Sequence, residues 1–197
     1  MTPAVSPPVR GRPPGRQIVL ALGSNLGDRR DILQGCVDAI AAIPEVEVMA
    51  VSPVYETVPV GGPPQPDYLN AVMLARTALP SRVLLGRLHE IEAAFDRERS
   101  VRWGARTLDI DIITVAGEVS ADPELTLPHP RAHQRAFVLA PWHDVDPDAV
   151  LPGHGPVATL LAAADRSGIR RAALLPCMGA SAAPIPPRPA LAPGDAT

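Results

Sequence analysis

The sequence predicts an α+β fold, in which helices pack against a mostly antiparallel sheet. Two kinds of pattern lead to this prediction. Continuous apolar runs, and runs that alternate apolar and polar residues, are typical of strands, whereas apolar residues spaced three and four apart are typical of helices. These patterns follow one another in the order β-α-β-β-α-β, and further elements come after them.

The first strand is predicted over residues 17–22, where the run QIVLAL is almost continuously apolar. The turn GSNLGD follows, and a helix then carries apolar residues at helical spacing until Pro44 ends it. Residues 46–54 alternate and predict a second strand. Residues 56–67 hold four prolines and two adjacent glycines, which indicates a long loop of the kind that is often functional.

Residues 69–75 predict a third strand, and Ser81 begins a second helix with a core stripe from Leu84 to Phe95. A fourth strand is predicted over residues 107–115. The order of these elements is that of the ferredoxin-like arrangement. Later patterns predict C-terminal additions, namely a partly helical segment at 136–145, a short helix at 157–164 and a last strand at 169–175.

A single domain is predicted over residues 17–176. Residues 1–16 and 177–197 are rich in proline, alanine and glycine, so we expect two disordered tails. The net charge of −3 argues against general attraction to nucleic acids or membranes. All basic residues are arginine, which excludes a Walker-type phosphate lysine and a Schiff-base lysine. We expect a cytoplasmic protein, because there is no CxxC pair, signal peptide or long apolar run.

The strongest functional pattern is the segment RERSVRWGARTLDIDII at residues 97–113. Its arginine-rich half predicts a mobile loop, and its second half predicts a strand on which Asp109 and Asp111 share one face. The apolar residues between them fill the other face. Two carboxylates this close are unfavourable unless a cation lies between them. Because arginines and carboxylate-bound Mg²⁺ together hold phosphate, the residues predict a site for a metal–nucleotide complex.

Both halves of this segment also have a plainer interpretation. The aspartates would lie on a solvated strand face, although strands disfavour aspartate. The arginines, mixed with Asp96 and Glu98, would form a solvated charge run. Trp103 within that run is unusual for plain solvent exposure, and a lid over phosphates needs this mixture of charge and flexibility. Both interpretations of the arginines stay open.

Two smaller patterns concern possible ligand contacts. Tyr68 and Asn70 lie two residues apart at a strand start, which suits a flat heterocycle that stacks on the ring and bonds to the amide. Simple packing of the tyrosine is the alternative. His129 and His133 have the spacing of a zinc pair, but Pro130 and the lack of a following glutamate make that interpretation poor. His129 is better interpreted as a loop donor to an anion.

Four blocks of the sequence, in order and spacing, resemble the 6-hydroxymethyl-7,8-dihydropterin pyrophosphokinases of folate biosynthesis. They read LALGSNLGDRR, PVYETVPVGGPPQPDYLNAV, IEAAFDRERSVRWGARTLDIDII and LTLPHPRAHQRAFVLAPW, and the similarity covers residues 17–156. The family transfers a pyrophosphoryl group from ATP to the hydroxymethyl oxygen of the pterin and releases AMP, a step of tetrahydrofolate biosynthesis. The resemblance implies ATP and the pterin as partners and two Mg²⁺ ions as cofactors. We expect a monomer with no nucleic-acid or membrane partner.

The resemblance also implies roles for individual residues. Asp109 and Asp111 would bind the Mg²⁺ ions and belong to the catalytic set. The catalytic arginines would be Arg97, Arg99 and Arg106. The pterin-binding residues would be Thr57, Val58, Val60, Tyr68, Asn70, Trp103 and Phe137. The ATP-binding residues would be His89, Glu92, Arg99, Arg106, Ile112, Thr126, His129 and Arg135.

Two other functions stay open from the residues alone. Ferredoxin-like sheets that carry arginines also bind RNA, so a non-catalytic nucleic-acid-binding module is one alternative. The net charge of −3 argues against it, as do two aspartates that repel phosphate in the absence of metal. The other alternative is a kinase that moves only the γ-phosphoryl group, and no residue pattern separates the transfer of one phosphoryl group from two.

Overall fold

A six-stranded antiparallel sheet lies between two layers of helices. The structure is a computed structural model that describes residues 15–59, 63–95 and 107–173. In these ranges the strands are β1 Arg16–Ser24, β2 Val46–Val51, β3 Val54–Thr57, β4 Tyr68–Thr77, β5 Asp109–Val115, β6 Ser120–Asp122, β7 Leu125–Leu127, β8 Val150–Leu151, β9 Gly155–Pro156 and β10 Ile169–Ala173. The helices are α1 Arg29–Ala41, α2 Ser81–Ala94, α3 Ala136–Val145 and α4 Val157–Ala163, with a 3-10 turn at Ala132–Gln134.

The strand order confirms the predicted α+β class and ferredoxin-like arrangement. The sheet runs β10-β3-β4-β1-β5, and β2 pairs with β4 beside β3. All these pairings are antiparallel. The central strands β1 and β4 are therefore neighbours, and β5 lies at one edge.

Each face of the sheet has its own hydrophobic core. Ile18 and Leu20 of β1 point to the face that α1 and α2 cover, where they join Leu33 and Leu88. The intervening Val19 points to the opposite face and joins the core formed with α3 and α4. Alternation along a strand places successive side chains on opposite faces, so a continuously apolar strand must be covered on both sides.

The second predicted strand is divided in two by Ser52 and Pro53. We expected one strand over residues 46–54, and the structure instead has β2 and β3. Pro53 has no N–H to donate to a ladder. Ser52 keeps the edge attached to β4, because its N–H donates to the Val72 carbonyl and its Oγ accepts from the Val72 N–H, both at 2.9 Å.

Local interactions explain where α1 begins and why α3 accommodates an internal proline. The Asp28 side chain caps α1 by accepting from the Asp31 N–H at 3.2 Å. Pro141 lies inside α3, which nevertheless spans residues 136–145 as predicted. The proline removes one helical hydrogen bond, but Leu139 and Trp142 are buried beside it and hold the helix on the sheet.

Some features went unpredicted or fall outside the described residues. The short hairpins β6–β7 and β8–β9 were not expected, and β1 begins at Arg16, one residue before the predicted domain boundary. The predicted tails, apart from Gly15 and Arg16, lie outside the described ranges, as does Cys177. Cys36 is a buried free thiol. Within the described ranges, no helix has the length and apolar character needed to cross a bilayer.

Candidate active site

The two aspartates of β5 lie on the sheet face that α3 covers. The backbone alternation turns Ile110 and Ile112 into the core beneath α1 and α2, and both are at most 5 % exposed. Asp109 and Asp111 are half-buried and line the larger cavity on the other side. The predicted division of this strand into an apolar face and a carboxylate face is therefore present.

Two cavities meet at this carboxylate pair. The larger has a volume of about 610 Å³ and the smaller about 260 Å³. Asp109, Asp111 and His129 line both of them. The site thus has two compartments that share a wall of acidic side chains, an arrangement that suits two ligands with their reacting groups at the boundary.

The larger cavity has aromatic walls and a fixed amide. Tyr68 and Phe137 line it from β4 and α3. The Asn70 Nδ2 donates to Thr57 Oγ1 at 2.7 Å, which orients the amide. Gly23 leaves room for the amide oxygen, because a Cβ at this glycine would lie 3.1 Å from Asn70 Oδ1. These are the features that a flat heterocycle needs.

The smaller cavity lies along the outer edge of β5. Its described walls are Leu85 and His89 from α2, Ile110 and Ile112 from β5, the hairpin residues from Pro123 to Thr126, and His129 with Pro130. An edge strand presents backbone N–H and C=O groups that no neighbouring strand occupies. The cavity therefore combines apolar side chains with backbone groups that suit a planar base.

Asp111 receives two basic side chains at one carboxylate oxygen. Arg135 Nη1 donates to Asp111 Oδ2 at 3.1 Å, and His129 Nε2 lies 3.7 Å from the same oxygen. The Nδ1 of His129 accepts from the Arg131 N–H at 3.2 Å, so the proton of the neutral ring is on Nε2 and faces Asp111. Burial lowers the pKa of His129, the nearby Asp111 carboxylate opposes this, and Arg135 and Arg131 add to the lowering. His129 is thus a neutral hydrogen-bond donor at neutral pH.

The structure brings most of the described predicted residues together around the two cavities. Thr57, Val58, Tyr68, Asn70 and Phe137 line the larger one, whereas His89, Ile112 and Thr126 line the smaller one. His129 lines both cavities, and Arg135 lines the larger one.

Other predicted residues are placed differently or not described. Glu92 is only 2 % exposed and accepts from the Ile110 N–H at 2.8 Å, and the described linings of the two cavities do not include it. Its place among the ATP-binding residues stays a prediction. The residues Val60, Arg97, Arg99, Trp103 and Arg106 lie outside the described ranges.

Several lining residues had no signal in the sequence. Gln65 accepts from the Tyr68 hydroxyl at 3.2 Å and from Asn25 Nδ2 at 3.1 Å. The turn between α4 and β10 closes another side, where the Gly168 carbonyl accepts from the Val58 N–H at 3.0 Å. That contact joins residues more than a hundred positions apart, which local patterns do not reveal.

The donor set at the cavity boundary fits Mg²⁺ in a complex with phosphates. The described residues contain no group of three or more His, Cys, Asp and Glu side chains that would hold a metal by themselves. Mg²⁺ is commonly bound by one or two carboxylates, with substrate phosphates and water completing the octahedron. Asp109 and Asp111 supply that number of carboxylates on one strand face.

Comparison with known proteins identifies the family. The family model for 7,8-dihydro-6-hydroxymethylpterin-pyrophosphokinase (HPPK) matches residues 19–147. The 2-amino-4-hydroxy-6-hydroxymethyldihydropteridine pyrophosphokinase of Pseudomonas aeruginosa is 40% identical over 156 residues, which cover 79% of this chain and 96% of that protein. The protein of the same name from Mycobacterium leprae is 48% identical over 146 residues, covering 68% of this chain and 74% of the relative.

Solved structures show the same fold at much lower identity. Plasmodium falciparum HPPK-DHPS, wild type with pterin and p-hydroxybenzoate, matches with a TM-score of 0.56 and 14% identity over 79% of this chain. The match covers 42% of that longer chain, so the present chain spans less than half of it. With residues 19–147 matched by the family model and the relatives at 40% and 48% identity, this chain belongs to the 7,8-dihydro-6-hydroxymethylpterin-pyrophosphokinase family.

Proposed function

We propose that this chain transfers a pyrophosphoryl group from ATP to the hydroxymethyl oxygen of 6-hydroxymethyl-7,8-dihydropterin, giving AMP and the pterin pyrophosphate. The observation that carries the proposal is that two cavities of different character meet at Asp109 and Asp111. In-line transfer requires the attacking oxygen and the β-phosphorus to meet at one place, and only the boundary between the cavities borders both ligands.

The larger cavity takes the pterin. Tyr68 and Phe137 would stack on its two faces, and Asn70 would bond to the polar edge of the ring because Thr57 already fixes the amide. The hydroxymethyl group would then point towards the aspartates. Trp103 and the backbone at Val60, which the family resemblance adds to this set, lie outside the described residues.

The smaller cavity takes the nucleotide. The adenine would lie against Ile112 on the open edge of β5, with Thr126 and His89 beside it. His129 lines this cavity and Arg135 lines the larger one, and both lie beside Asp111, where they would donate to phosphate oxygens. Arg97, Arg99 and Arg106 are proposed from the resemblance to neutralise the charge that develops on the transferred group.

Asp109 and Asp111 would hold Mg²⁺, and we propose two ions. Bound Mg²⁺ neutralises phosphate charge and makes the attacking hydroxyl more acidic. Asp109 and Asp111 have fixed positions, because β5 pairs with β1 on one side and its apolar side chains pack in the core. They would therefore keep the two reactants aligned. A monomeric state, a cytoplasmic location and the lack of a nucleic-acid partner are further parts of the proposal, which rest on family resemblance and composition.

The test is product analysis after incubation with ATP, Mg²⁺ and 6-hydroxymethyl-7,8-dihydropterin. We expect AMP and pterin pyrophosphate in equal yield, separated by ion-exchange chromatography. Formation of ADP would instead indicate a kinase that moves only the γ-phosphoryl group. No pterin-dependent turnover, together with Mg²⁺-independent and salt-sensitive RNA binding, would favour the nucleic-acid-binding alternative.

The carboxylates provide a sharper version of the same test. Asp109→Asn and Asp111→Asn keep the side-chain shape and remove the charge, so we expect turnover to fall on the order of a hundredfold or more while pterin binding persists. Calorimetry with the stable oxidised pterin measures that binding. Asp38→Asn on α1, where Asp38 accepts from Gln34, is the matched control. Retained turnover in the Asp109 and Asp111 variants would show that these carboxylates are structural.

A further inference from the structure

Glu92 is a buried acidic residue beneath the strand that carries the aspartates. It lies in the last turn of α2, is 2 % exposed, and accepts from the Ile110 N–H at 2.8 Å. Cys36 of α1 is fully buried, and burial and then the charge of Glu92 raise the pKa of its thiol well above the usual range. The carboxyl group is therefore enclosed between α1, α2 and β5.

A carboxyl group in such a place is costly for folding. Removal of a carboxylate from water is unfavourable unless hydrogen bonds compensate, and buried ionic groups are often no better for stability than apolar ones of the same size. Leu88 and Ile91 of the same helix face show that apolar side chains pack well in this layer. The stability of the fold is thus a poor explanation for an acidic side chain here.

The hydrogen bond that Glu92 accepts from Ile110, one of its contacts, explains the position better. Ile110 is the residue between Asp109 and Asp111, and β5 pairs with β1 on one side only, with no further strand on its other side among the described residues. The Glu92 carboxyl group supplies the acceptor at the midpoint of the aspartate pair. Further along the strand, the His129 N–H donates to the Ile113 carbonyl at 2.8 Å. The acidic stretch of β5 is thereby held at two points.

We propose that Glu92 is a positioning residue for the metal site: by fixing the Ile110 amide, it sets the spacing and direction of the Asp109 and Asp111 carboxylates. It acts through the strand, and the described linings of the two cavities do not include it. Leu85 and His89 of the same helix line the nucleotide cavity, whereas Glu92 faces the core. This inference rests on the proposed function and deepens it, since it names what keeps the two metal ligands in place.

Two substitutions of Glu92 distinguish the effect of its acceptor position from the effect of its charge. Glu92→Gln keeps an oxygen at the same reach without the charge, whereas Glu92→Asp keeps the charge but withdraws the acceptor by one methylene. With Mn²⁺ and a non-hydrolysable ATP analogue as probes, we expect Glu92→Asp to weaken Mn²⁺ binding about tenfold. Glu92→Gln should retain most of the affinity. Electron paramagnetic resonance of free Mn²⁺ measures the binding without any turnover.

Controls keep the outcome interpretable. Glu90→Asp changes an exposed residue of the same helix and should leave Mn²⁺ binding unchanged. Pterin binding in metal-free buffer should be equal in all variants, which shows that the fold is intact. Glu92→Met, which keeps the length and removes the acceptor, repeats the test if Glu92→Asp fails to fold.

The opposite ranking of the two variants in Mn²⁺ affinity would overturn the inference. If Glu92→Gln loses Mn²⁺ or nucleotide affinity while Glu92→Asp keeps it, the Glu92 charge acts directly on the ligands. Equal affinity in wild type, Glu92→Asp and Glu92→Met would also refute it. Failure of wild-type protein to form AMP would refute the proposed function and not this inference, because the Mn²⁺ comparison needs no catalysis.

Discussion

At the scale of single residues, the chemistry of His129 depends on three charged neighbours. Its Nδ1 accepts a backbone N–H, and its Nε2 faces Asp111, so the ring can donate without being charged. Burial and the two arginines favour the neutral form, whereas Asp111 favours the protonated form. The Nε2–H group can donate to a phosphate oxygen in both the neutral and the protonated form of the ring.

The pKa of His129 should respond in opposite directions to its neighbours. We expect a value below the usual 6.5 in the ligand-free protein, a further fall in Asp111→Asn, and a rise in Arg135→Gln. The shift of the imidazole C–H resonances with pH measures this directly, and Glu47→Gln on the exposed side of β2 is the control. A rise in Asp111→Asn would contradict the geometry.

The lowered pKa also has a consequence for stability. As the pH falls, the unfolded chain binds a proton at His129 before the folded protein does, so this residue reduces the free energy of unfolding below about pH 6.5 and has no such effect above it.

At the scale of elements, Glu118 joins three segments at the end of the sheet away from the aspartates. It follows β5, accepts from Ser81 Oγ at the start of α2 at 2.6 Å, and pairs with Arg16 at the start of β1. Arg16 also donates to the Leu79 carbonyl at 3.0 Å. The bond from Ser81 and then the pair with Arg16 lower the pKa of Glu118, whereas its partial burial opposes them.

Glu118→Gln should therefore destabilise the fold at neutral pH by about 1 kcal/mol. A lowered carboxyl pKa contributes stability above the usual value of 4.5, and this contribution is lost as the pH falls through the folded value. Urea unfolding at pH 7 and near pH 4 measures the difference, which should shrink at the lower pH. A difference that is equal at both values would exclude the ionised carboxylate as its source.

Two helical glycines should respond oppositely to alanine. Gly86 of α2 has open space around it, so Gly86→Ala should stabilise by about 0.5–1 kcal/mol through helix propensity. Gly35 of α1 lies under Phe95, and a Cβ there would be 2.9 Å from the ring Cζ. Gly35→Ala should not stabilise the protein, because the Phe95 ring must move out of the core to make room for the new methyl group. Thermal unfolding compares the two variants, and equal stabilisation would show that Phe95 moves freely.

In the molecule as a whole, local sequence patterns were enough to predict much of the site. The alternation of DIDII gave the two faces of β5, and the spacing of Tyr68 and Asn70 placed ring and amide on one strand. These inferences hold because strand geometry fixes neighbours two residues apart. The order of elements was enough for the ferredoxin-like arrangement, because short connections leave few ways to combine such elements.

Local sequence patterns could not predict the contacts between segments that are distant in the chain. Glu92 has the sequence signature of a polar helix face, and only the packing of α2 under β5 shows that it is buried. The hairpin β6–β7, which walls the smaller cavity, consists of two strands of three residues, too short for a periodic signal. The strand break at Ser52 depends on a serine side chain that replaces part of a ladder.

The turn between α4 and β10 is synthesised after the other walls of the larger cavity. Both central strands, the helices α1 and α2 and the two aspartates precede it in the chain, whereas Gly168 and the segment beside it complete the wall next to Val58. A growing chain exposes its N-terminal segments first. Most of the core is therefore translated before the larger cavity has its last wall, and a nascent chain cut short before β10 would have the aspartates of this enzyme without the enclosed compartment beside them.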